Sequence, residues 1–333
     1  MKKLLLFFGL FALAWADARQ IVDMAGRTVE IAAPVERVAT VGGTPALNAF
    51  IFAMGKAGTI RNGVGDSPFR KMPFWKHQAY FLPEIFTLPQ VSSNPPEWLP
   101  DFEAIARIHP DIALVNNAAA AELLERRGVK TAVMTWKGLQ SVKKSIDFLG
   151  ELFDERAKAE AYDAYYDAAI ARVARAMQDY DAPRKSAVYL RLEPLSMPMV
   201  STANYLFEKA GASTPASEIK AEHATIGLEK LMAWNPDVLF VWSKKDKKSA
   251  YEDPRFADLK AVRNKQVYVI PMGAHLWTHY TPEQPLAILW CAKTLYPERF
   301  ENLDMEEEAR RFYATFMQKR LSDAQLASIL GRE

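Results

Sequence analysis

The chain has 333 residues, which is enough for two domains or one large one, since domains usually span about 100–200 residues. Hydrophobic residues make up 50% and charged residues 25%, so the composition excludes disordered, collagen-like and coiled-coil proteins. The single cysteine, Cys291, excludes an intramolecular disulfide and a cysteine-based zinc site.

The first sixteen residues have the pattern of a secretory signal peptide. Two lysines precede an apolar run, and Ala14-Trp15-Ala16 supplies the small residues that signal peptidases recognise. We expect residues 1–16 to be removed; a membrane anchor is the alternative, but the run is short for a spanning helix. Removal takes away two lysines and no acid, so the formal charge falls from +2 to 0. A neutral mature chain gives no reason to expect nucleic acid as a partner.

No cysteine stands at the end of this signal, where a lipoprotein would carry one. We therefore expect the mature protein to be free in the periplasm rather than anchored to lipid. We also expect a monomer.

The pattern after the signal indicates an α/β protein. A buried strand, a glycine turn and a helix over 37–54 form the start of an α/β unit. Residues 61–100 are rich in proline and aromatic residues, and we expect an irregular segment with a functional role.

Two later segments repeat one another. They read FEAIARIHPDIALV at 102–115 and LEKLMAWNPDVLFV at 228–241. In each, a glutamate opens a short helix, Pro-Asp follows because proline ends the helix, and a buried strand typical of parallel sheets completes the unit. The repetition predicts two similarly built lobes.

A long helical stretch lies between the repeats. One amphipathic helix is predicted over 141–153, and a second, free of breakers, over 155–180. The predicted organisation is an N-terminal α/β lobe at 17–154, a bridging helix at 155–182 and a C-terminal α/β lobe at 183–333.

These features together resemble a known family. The opening VDMAGRTVEIAAPVERVATVGG, the repeated units and the helix between them are similar to the substrate-binding proteins of iron-siderophore, haem and cobalamin ABC importers. The closing WTHYTPEQPLAILWCAKTLYPERF at 277–300 resembles a branch that includes binders of nickel or cobalt complexes and of molybdate or tungstate. The resemblance implies two Rossmann-like lobes joined by one long rigid helix, with the ligand in the cleft between them.

The resemblance also implies the protein partners. Binding proteins of this kind deliver their ligand to an ABC permease and its ATPase at the inner membrane. A glutamate on each lobe is similar in position to Glu103 and Glu229, which would then pair with arginines of the permease. The alternative is that both are ordinary capping or surface glutamates.

Open α/β sheets bind ligands in loops at the carboxyl ends of their strands. Tryptophans, tyrosine and polar residues at such places are our candidate ligand-binding residues: Thr44, Trp75, His77, Asn116, Trp136, Arg191, Trp242, Trp277 and Tyr280. Aromatic side chains there suit a flat or chelated ligand, and core packing is the alternative for each one.

Three histidines are candidate metal ligands. His223 lies near a position where the resemblance implies a histidine that completes an iron site, and His275 and His279 lie where the same proteins carry a tyrosine ligand. A neutral imidazole can complete a chelate whose other ligands come from a small molecule. A solvent-exposed or hydrogen-bonded histidine is the alternative at each position.

Arg191 suits an anionic ligand such as a carboxylate, a catecholate or an oxyanion. Siderophore binders of the family often have three arginines in the cleft, whereas Arg191 is the one that we can assign here. This departure favours a smaller or less charged complex. A salt bridge between Arg191 and Glu193 is the alternative.

We therefore predict a binding protein with no catalytic activity and no permanently bound cofactor. Its ligand is predicted to be a metal chelate, with iron first and nickel, cobalt, haem or cobalamin as other candidates. The alternative is an oxyanion carrier for molybdate or tungstate. A secreted metal-complex reductase or chelatase is a third hypothesis, but the chain contains no GxSxG, HExxH or GxxxxGK[ST] pattern.

Overall fold

The computed structural model describes residues 18–42, 44–65, 67–93, 99–136 and 140–332. The signal peptide predicted at residues 1–16 lies outside the described residues. Within them, no helix combines the length and the apolar character that crossing a membrane requires.

The N-terminal lobe begins with an antiparallel hairpin and continues as alternating strands and helices. Its elements are β1 (Ala18–Val22), β2 (Thr28–Ala32), β3 (Val38–Val41), α1 (Thr44–Ala53), α2 (Pro73–Phe81), α3 (Phe102–Arg107), β4 (Ile112–Val115), α4 (Ala118–Glu125), β5 (Thr131–Val133) and α5 (Ser141–Leu152). Strands β3, β4 and β5 form a parallel sheet in that order, and they are buried throughout. Buried strands of this kind are what parallel sheets covered by helices require.

Helix α6 (Arg156–Ala176) joins the two lobes. The helix predicted over 155–180 is therefore confirmed, with its ends a few residues inside the predicted ones. It contains no glycine or proline, and it packs against α5 of the N-terminal lobe.

The C-terminal lobe has a second, mixed sheet. Its elements are β6 (Ala187–Leu192), β7 (Leu195–Pro198), α7 (Val200–Lys209), β8 (His223–Thr225), α8 (Leu228–Trp234), β9 (Val238–Val241), α9 (Lys244–Glu252), α10 (Lys260–Arg263), β10 (Val267–Val269), α11 (Gln284–Leu295), α12 (Met305–Thr315) and α13 (Asp323–Ile329). The strand order is β10–β9–β6–β7–β8, where β10, β9 and β6 are parallel and β7 and β8 are antiparallel additions at one edge. The α/β class and the two-lobe architecture predicted from the sequence are confirmed.

The repeated sequence units fold alike. In each, a short helix (α3 or α8) leads into the central parallel strand of its lobe (β4 or β9). The residue before the proline has a left-handed backbone in both, with φ 42° at His109 and 40° at Asn235. The two segments thus turn from helix to strand in the same way, although one uses histidine and the other asparagine.

The aspartate of each Pro-Asp pair has the same role. Asp111 Oδ2 accepts hydrogen bonds from the backbone N–H groups of Glu36 and Arg37, both at 2.8 Å, just before β3. Asp237 Oδ2 accepts from the backbone N–H and the hydroxyl of Ser186, at 2.7 and 2.9 Å, just before β6. Each carboxylate therefore ties the central strand of its lobe to the start of the neighbouring strand.

One local prediction was wrong in part. Residues 61–100 were expected to be irregular, but they contain α2, which begins with Pro73 at its first helical position. Proline is compatible with that position because the missing N–H would have no partner inside the helix. Trp75 and His77 consequently lie on a helix and not in a loop.

We predict that Asp237→Ala lowers the free energy of unfolding by about 1.5–3 kcal/mol, because two donors lose a charged acceptor. Urea denaturation of the two proteins measures the difference. The control is Asp258→Ala, an exposed aspartate of the same lobe, which should change stability by less than about 0.5 kcal/mol. Equal losses in the two variants would contradict the assigned role of Asp237.

Candidate functional site

The carboxyl ends of the parallel strands carry several of the candidate residues. Thr44 and Asn116 follow β3 and β4, Trp136 follows β5, and Trp242 follows β9. All strands of a parallel sheet end at the same edge, so these residues share one edge of their lobe. The loop of residues 271–283, which contains four further candidates, follows β10 at the corresponding edge of the C-terminal sheet.

A chain of contacts joins five side chains across the two lobes. The guanidinium of Arg191 lies over the Trp242 ring, with 4.7 Å from Cζ to the ring centroid. The Trp242 ring meets the edge of His279 at 5.7 Å, and His279 lies 4.9 Å from His275 between centroids. The His275 ring stacks on Phe74 of α2 at 5.9 Å with an interplanar angle of 7°. We call these five residues the aromatic cluster; it connects the C-terminal lobe to the N-terminal lobe.

The two histidines of the aromatic cluster are neutral at neutral pH. Burial lowers the pKa of His275 to about 4. Burial also places the pKa of His279 well below its ordinary value, and the neighbouring His275 and His223 lower it further. A charge on either imidazole would lack the hydration that it has in water.

A backbone hydrogen bond selects the tautomer of His275. The backbone N–H of Leu276 donates to His275 Nδ1 at 2.8 Å. In a neutral imidazole one nitrogen accepts and the other carries the proton, so the proton of His275 resides on Nε2. Nε2 is therefore a hydrogen-bond donor without a free lone pair.

His279 differs from His275 in its hydrogen bonding. Its Nε2 is buried and makes no hydrogen bond to the described part of the protein. His223 lies on the edge strand β8, is exposed, and is close enough to influence the pKa of His279. Across the described ranges, no three or more histidine, cysteine, aspartate or glutamate side chains are grouped as a metal site would require.

Tyr280 borders the aromatic cluster on the side of β8. Its ring is buried, and its hydroxyl donates to Glu222 Oε1 at 3.4 Å. Glu222 also accepts a short hydrogen bond from Ser201 of α7. Tyr280 and His223 therefore approach the same side of the loop, as a site containing both would need.

The candidates of the N-terminal lobe have mainly local contacts. The Thr44 hydroxyl donates to the carbonyl groups of Thr40 and Gly42, both at 3.1 Å, which occupies its proton. Asn116 Oδ1 accepts from Asn117 Nδ2 at 2.9 Å. Trp136 is half-buried and stacks on Phe50 at 6.4 Å. Asn116 and Trp136 thus keep exposed surface that a ligand can reach.

Three candidates face the interior, which corrects the expectation for them. Trp277 has no exposed surface, and Trp75 is 3% exposed; both belong to the hydrophobic core. The Nε2 atom of His77 lies 3.1 Å from the hydroxyl of Ser328 on α13, so this side chain joins α2 to the C-terminal helix. Helix α2 and the 271–283 loop turn these side chains inward, and only the tertiary packing decides which side of a loop or helix is covered.

The sequence analysis missed one residue that shapes this site, Glu283. Phe74 supplies the N-terminal contact to His275, whereas its neighbour Trp75 turns into the core. Glu283 is fully buried and accepts four hydrogen bonds. Glu283 lies three residues before the apolar run 286–292, and no sequence signal marked it as buried; a buried carboxylate needs hydrogen-bond partners, which the folded structure supplies.

Glu103 and Glu229 occupy equivalent places in the two lobes. Each lies in the first turn of its short helix, α3 or α8, and each is exposed. Among the described residues, Glu103 forms an ion pair with Arg107 at 3.5 Å, between two exposed side chains. Both helices lead into the amino end of a parallel strand of their lobe.

Comparisons with known proteins agree with this architecture. The model of a family described as periplasmic binding protein matches residues 46–273. A periplasmic solute-binding protein from Veillonella parvula superposes with a TM-score of 0.81 at 21% identity, covering 95% of this chain and 97% of that chain.

Two further similar proteins are known with a named ligand. The molybdate-binding protein MolA of Haemophilus influenzae is 23% identical over 248 residues, which are 65% of this chain and 69% of MolA. Its structure bound to molybdate superposes with a TM-score of 0.76, covering 91% of this chain and 99% of that one. Helicobacter pylori CeuE in a nickel–histidine complex superposes with a TM-score of 0.72 at 21% identity, covering 94% and 99%. At these identities the structural matches show the fold.

The low pKa of His275 predicts a pH-dependent stability. The unfolded chain takes up a proton near pH 6.5, whereas the folded chain resists protonation down to about pH 4, so acidification from pH 7 to pH 5 destabilises the fold. In His275→Asn, the amide oxygen can still accept from Leu276. Between pH 7 and pH 5, the free energy of unfolding of this variant should fall by about 1–2 kcal/mol less than that of the wild type. Urea denaturation at pH 7, 6 and 5 measures it. His109→Asn, at an exposed turn, is the matched control, and identical pH slopes in wild type and His275→Asn would contradict the prediction.

Proposed function

This chain belongs to the periplasmic binding protein family of ABC importers, and from that premise we propose that it binds a small oxyanion of the molybdate and tungstate class at the aromatic cluster. The ligand would be held between the lobes by hydrogen-bond donors and delivered unchanged to the membrane permease. The observation that carries the proposal is the tautomer of His275.

His275 presents a proton, and this favours an oxygen ligand over a metal ion. Its Nδ1 lone pair is engaged by the Leu276 N–H, and its Nε2 carries hydrogen. Metal ligation requires a free nitrogen lone pair, whereas an oxyanion accepts hydrogen bonds from N–H groups. The contact that holds the ring therefore supports recognition by donation.

Arg191 supports the same class of ligand. It is exposed and rests on Trp242, and within the described residues no carboxylate lies at ion-pair distance from it. The alternative of a salt bridge to Glu193 is not formed, because Glu193 pairs with Lys245 at 2.8 Å and accepts from Ser249 at 2.8 Å. A guanidinium free of protein anions can bind an anion from solution.

A metal chelate is the second candidate, and one observation favours it. His279 Nε2 is buried without a hydrogen-bond partner among the described residues, and a neutral imidazole with a free lone pair can complete a metal's coordination. The likeness to CeuE with nickel and histidine fits this reading. The likeness to MolA in both sequence and fold fits the oxyanion.

The remaining parts of the proposal follow the family role. The chain acts as a carrier without turnover and holds no permanent cofactor. It works in the periplasm as a monomer after removal of its signal peptide, and it delivers ligand to a permease and its ATPase through Glu103 and Glu229.

Calorimetric titration of the ligand-free protein with sodium molybdate tests the ligand. We expect saturable binding of molybdate by the wild type. His275→Asn keeps the acceptor for Leu276 but removes the Nε2 donor, so its molybdate affinity should be at least about tenfold lower. His275→Gln restores an N–H group near that position, and its affinity should fall less. His109→Asn should bind as wild type does.

Parallel titrations with nickel–histidine and a ferric chelate separate the candidates. Binding of a chelate together with no heat from molybdate would overturn the oxyanion proposal in favour of the second candidate. Equal molybdate affinity in wild type and His275→Asn would contradict the role of His275.

The proposed docking of Glu103 and Glu229 on the permease predicts an effect on uptake but not on ligand binding. The double change Glu103→Lys/Glu229→Lys should reduce cellular uptake of radiolabelled molybdate more than tenfold, because both lobes then repel a positively charged permease surface. Its molybdate affinity in solution should stay within about twofold of wild type. Glu122→Lys/Glu252→Lys, which reverses one exposed helical glutamate on each lobe, is the control. Uptake that is unaffected by the first pair, or equally reduced by both pairs, would refute the docking assignment.

A further inference from the structure

Glu283 anchors the loop that carries His275. The residue lies just before α11 at the end of the 271–283 loop and is fully buried. Its Oε1 accepts from the backbone N–H of Ala274 at 2.9 Å, and its Oε2 accepts from the backbone N–H of His275 at 3.0 Å. The side chain thus reaches back across the loop and ties its end to its beginning.

Two hydroxyl groups complete the environment of this carboxylate. Tyr313 of α12 donates to Oε1 at 2.6 Å, and Thr281 donates to Oε2 at 3.0 Å. Burial and the negative charge of Glu283 keep the pKa of Tyr313 well above its usual value, so its hydroxyl stays a donor. Four donors therefore satisfy a buried carboxylate, as such a group requires.

The close approach leaves no room for a side chain at Gly273. A Cβ at this position would overlap Glu283 Oε1 and the Tyr313 hydroxyl. The glycine is required because the carboxylate passes directly against the backbone, and the contact is therefore part of how the loop is built.

Other elements hold the same loop at its two ends. Gln78 of α2 donates to the carbonyl group of Ala274 at 2.9 Å, and Tyr162 of α6 donates to that of Pro282 at 2.7 Å. Both bonds hold carbonyl groups. The backbone N–H groups of Ala274 and His275 are held by Glu283.

We infer that Glu283 is the positioning residue for His275. Its carboxylate fixes the backbone of Ala274 and His275, which keeps the Leu276 N–H against His275 Nδ1. The Nε2 proton is therefore kept directed at the ligand. This inference rests on the proposed role of His275 as a donor. Glu283 itself has no exposed surface and acts through the loop rather than by touching the ligand.

The substitution Glu283→Gln tests this with almost no change in volume. Each carboxylate oxygen accepts from one backbone N–H, so whichever oxygen becomes the amide NH₂ group opposes an N–H that cannot rotate away. Tyr313 and Thr281 can turn their hydroxyl groups to adapt, but Ala274 and His275 cannot. The variant should therefore release the loop at one of these two residues.

The experiment uses nitrogen-15 NMR of the histidine side chains in the ligand-free full-length protein, followed by titration with sodium molybdate. Long-range proton–nitrogen spectra distinguish the two neutral tautomers. We expect wild-type His275 to be in the Nε2–H form alone, and Glu283→Gln to show a mixture together with at least a tenfold loss of molybdate affinity.

The matched control is Glu308→Gln, which changes another buried glutamate, one that lies on α12 itself. Glu308 accepts from Tyr165 at 2.9 Å and pairs with Arg311 at 2.7 Å, away from the loop. It should retain the wild-type tautomer and affinity. If Glu283→Gln does not fold, Glu283→Asp keeps the charge, withdraws it by one methylene, and should give the same mixture.

The outcomes separate the two proposals. A single Nε2–H tautomer in the folded Glu283 variants, or a mixture also in Glu308→Gln, would overturn the positioning role. A wild-type protein that shows the expected tautomer and loses it in Glu283→Gln, but binds no molybdate, would support the positioning role and refute the proposed ligand.

Discussion

The rigid packing of one helix against both lobes is the constraint on which this structure depends. The buried residues of α6 recur every three or four positions, so one stripe of the helix faces the protein along its length: Ala159, Tyr162, Tyr166, Ala169 and Val173. This stripe packs against α5 of one lobe and α11 of the other. A helix without glycine or proline, buried by both lobes, sets the separation of their sheets and leaves little freedom for hinge motion.

The bridging helix also reaches the candidate site. Tyr162 donates to Pro282, and the Tyr166 hydroxyl donates to Gln284, whose amide in turn donates to the carbonyl group of His279 at 3.2 Å. On the other side, Gln78 brings α2 of the N-terminal lobe to the same loop. The loop that carries the two histidines is therefore held by the bridge, by both lobes and by its own glutamate. Because these polar groups are buried and paired, displacing the loop breaks several hydrogen bonds at once.

This arrangement suits recognition by fixed dipoles. The proposed oxyanion would lose its hydration on binding, and the aromatic cluster offers one cation, Arg191, together with the Nε2–H donor of His275, which the loop holds in place beforehand. Donors that are already oriented cost little reorganisation when the ligand arrives. Neutral imidazoles also avoid buried charges beside this cation when the site is empty, which the low pKa of His275 reflects.

Much of the architecture was predictable from local pattern. The buried strands, the breaker-free helix and the repeated Glu…Pro-Asp units follow from periodicity and from the effect of proline, so the two lobes and the bridge could be derived without coordinates. The edge at which Thr44, Asn116 and Trp242 lie was also predictable, because parallel strands end together. Glu103 and Glu229 were identified by their equivalent places in the repeat.

The tertiary structure decided which of these side chains meet and in what state. His275 and His279 are four residues apart in a loop, and no periodicity brings their rings together; the loop is held by donors from Gln78 and Tyr162 and by Glu283, which accepts from the His275 N–H. Burial made both imidazoles neutral, turned Trp75 and Trp277 into the core, and left Phe74 at the site. The sequence by itself determined the fold and the edge at which a ligand can bind, because these depend on short-range pattern. The direction of each side chain and the position of each proton depend on neighbours that are distant in the chain, and only the folded structure brings those neighbours together.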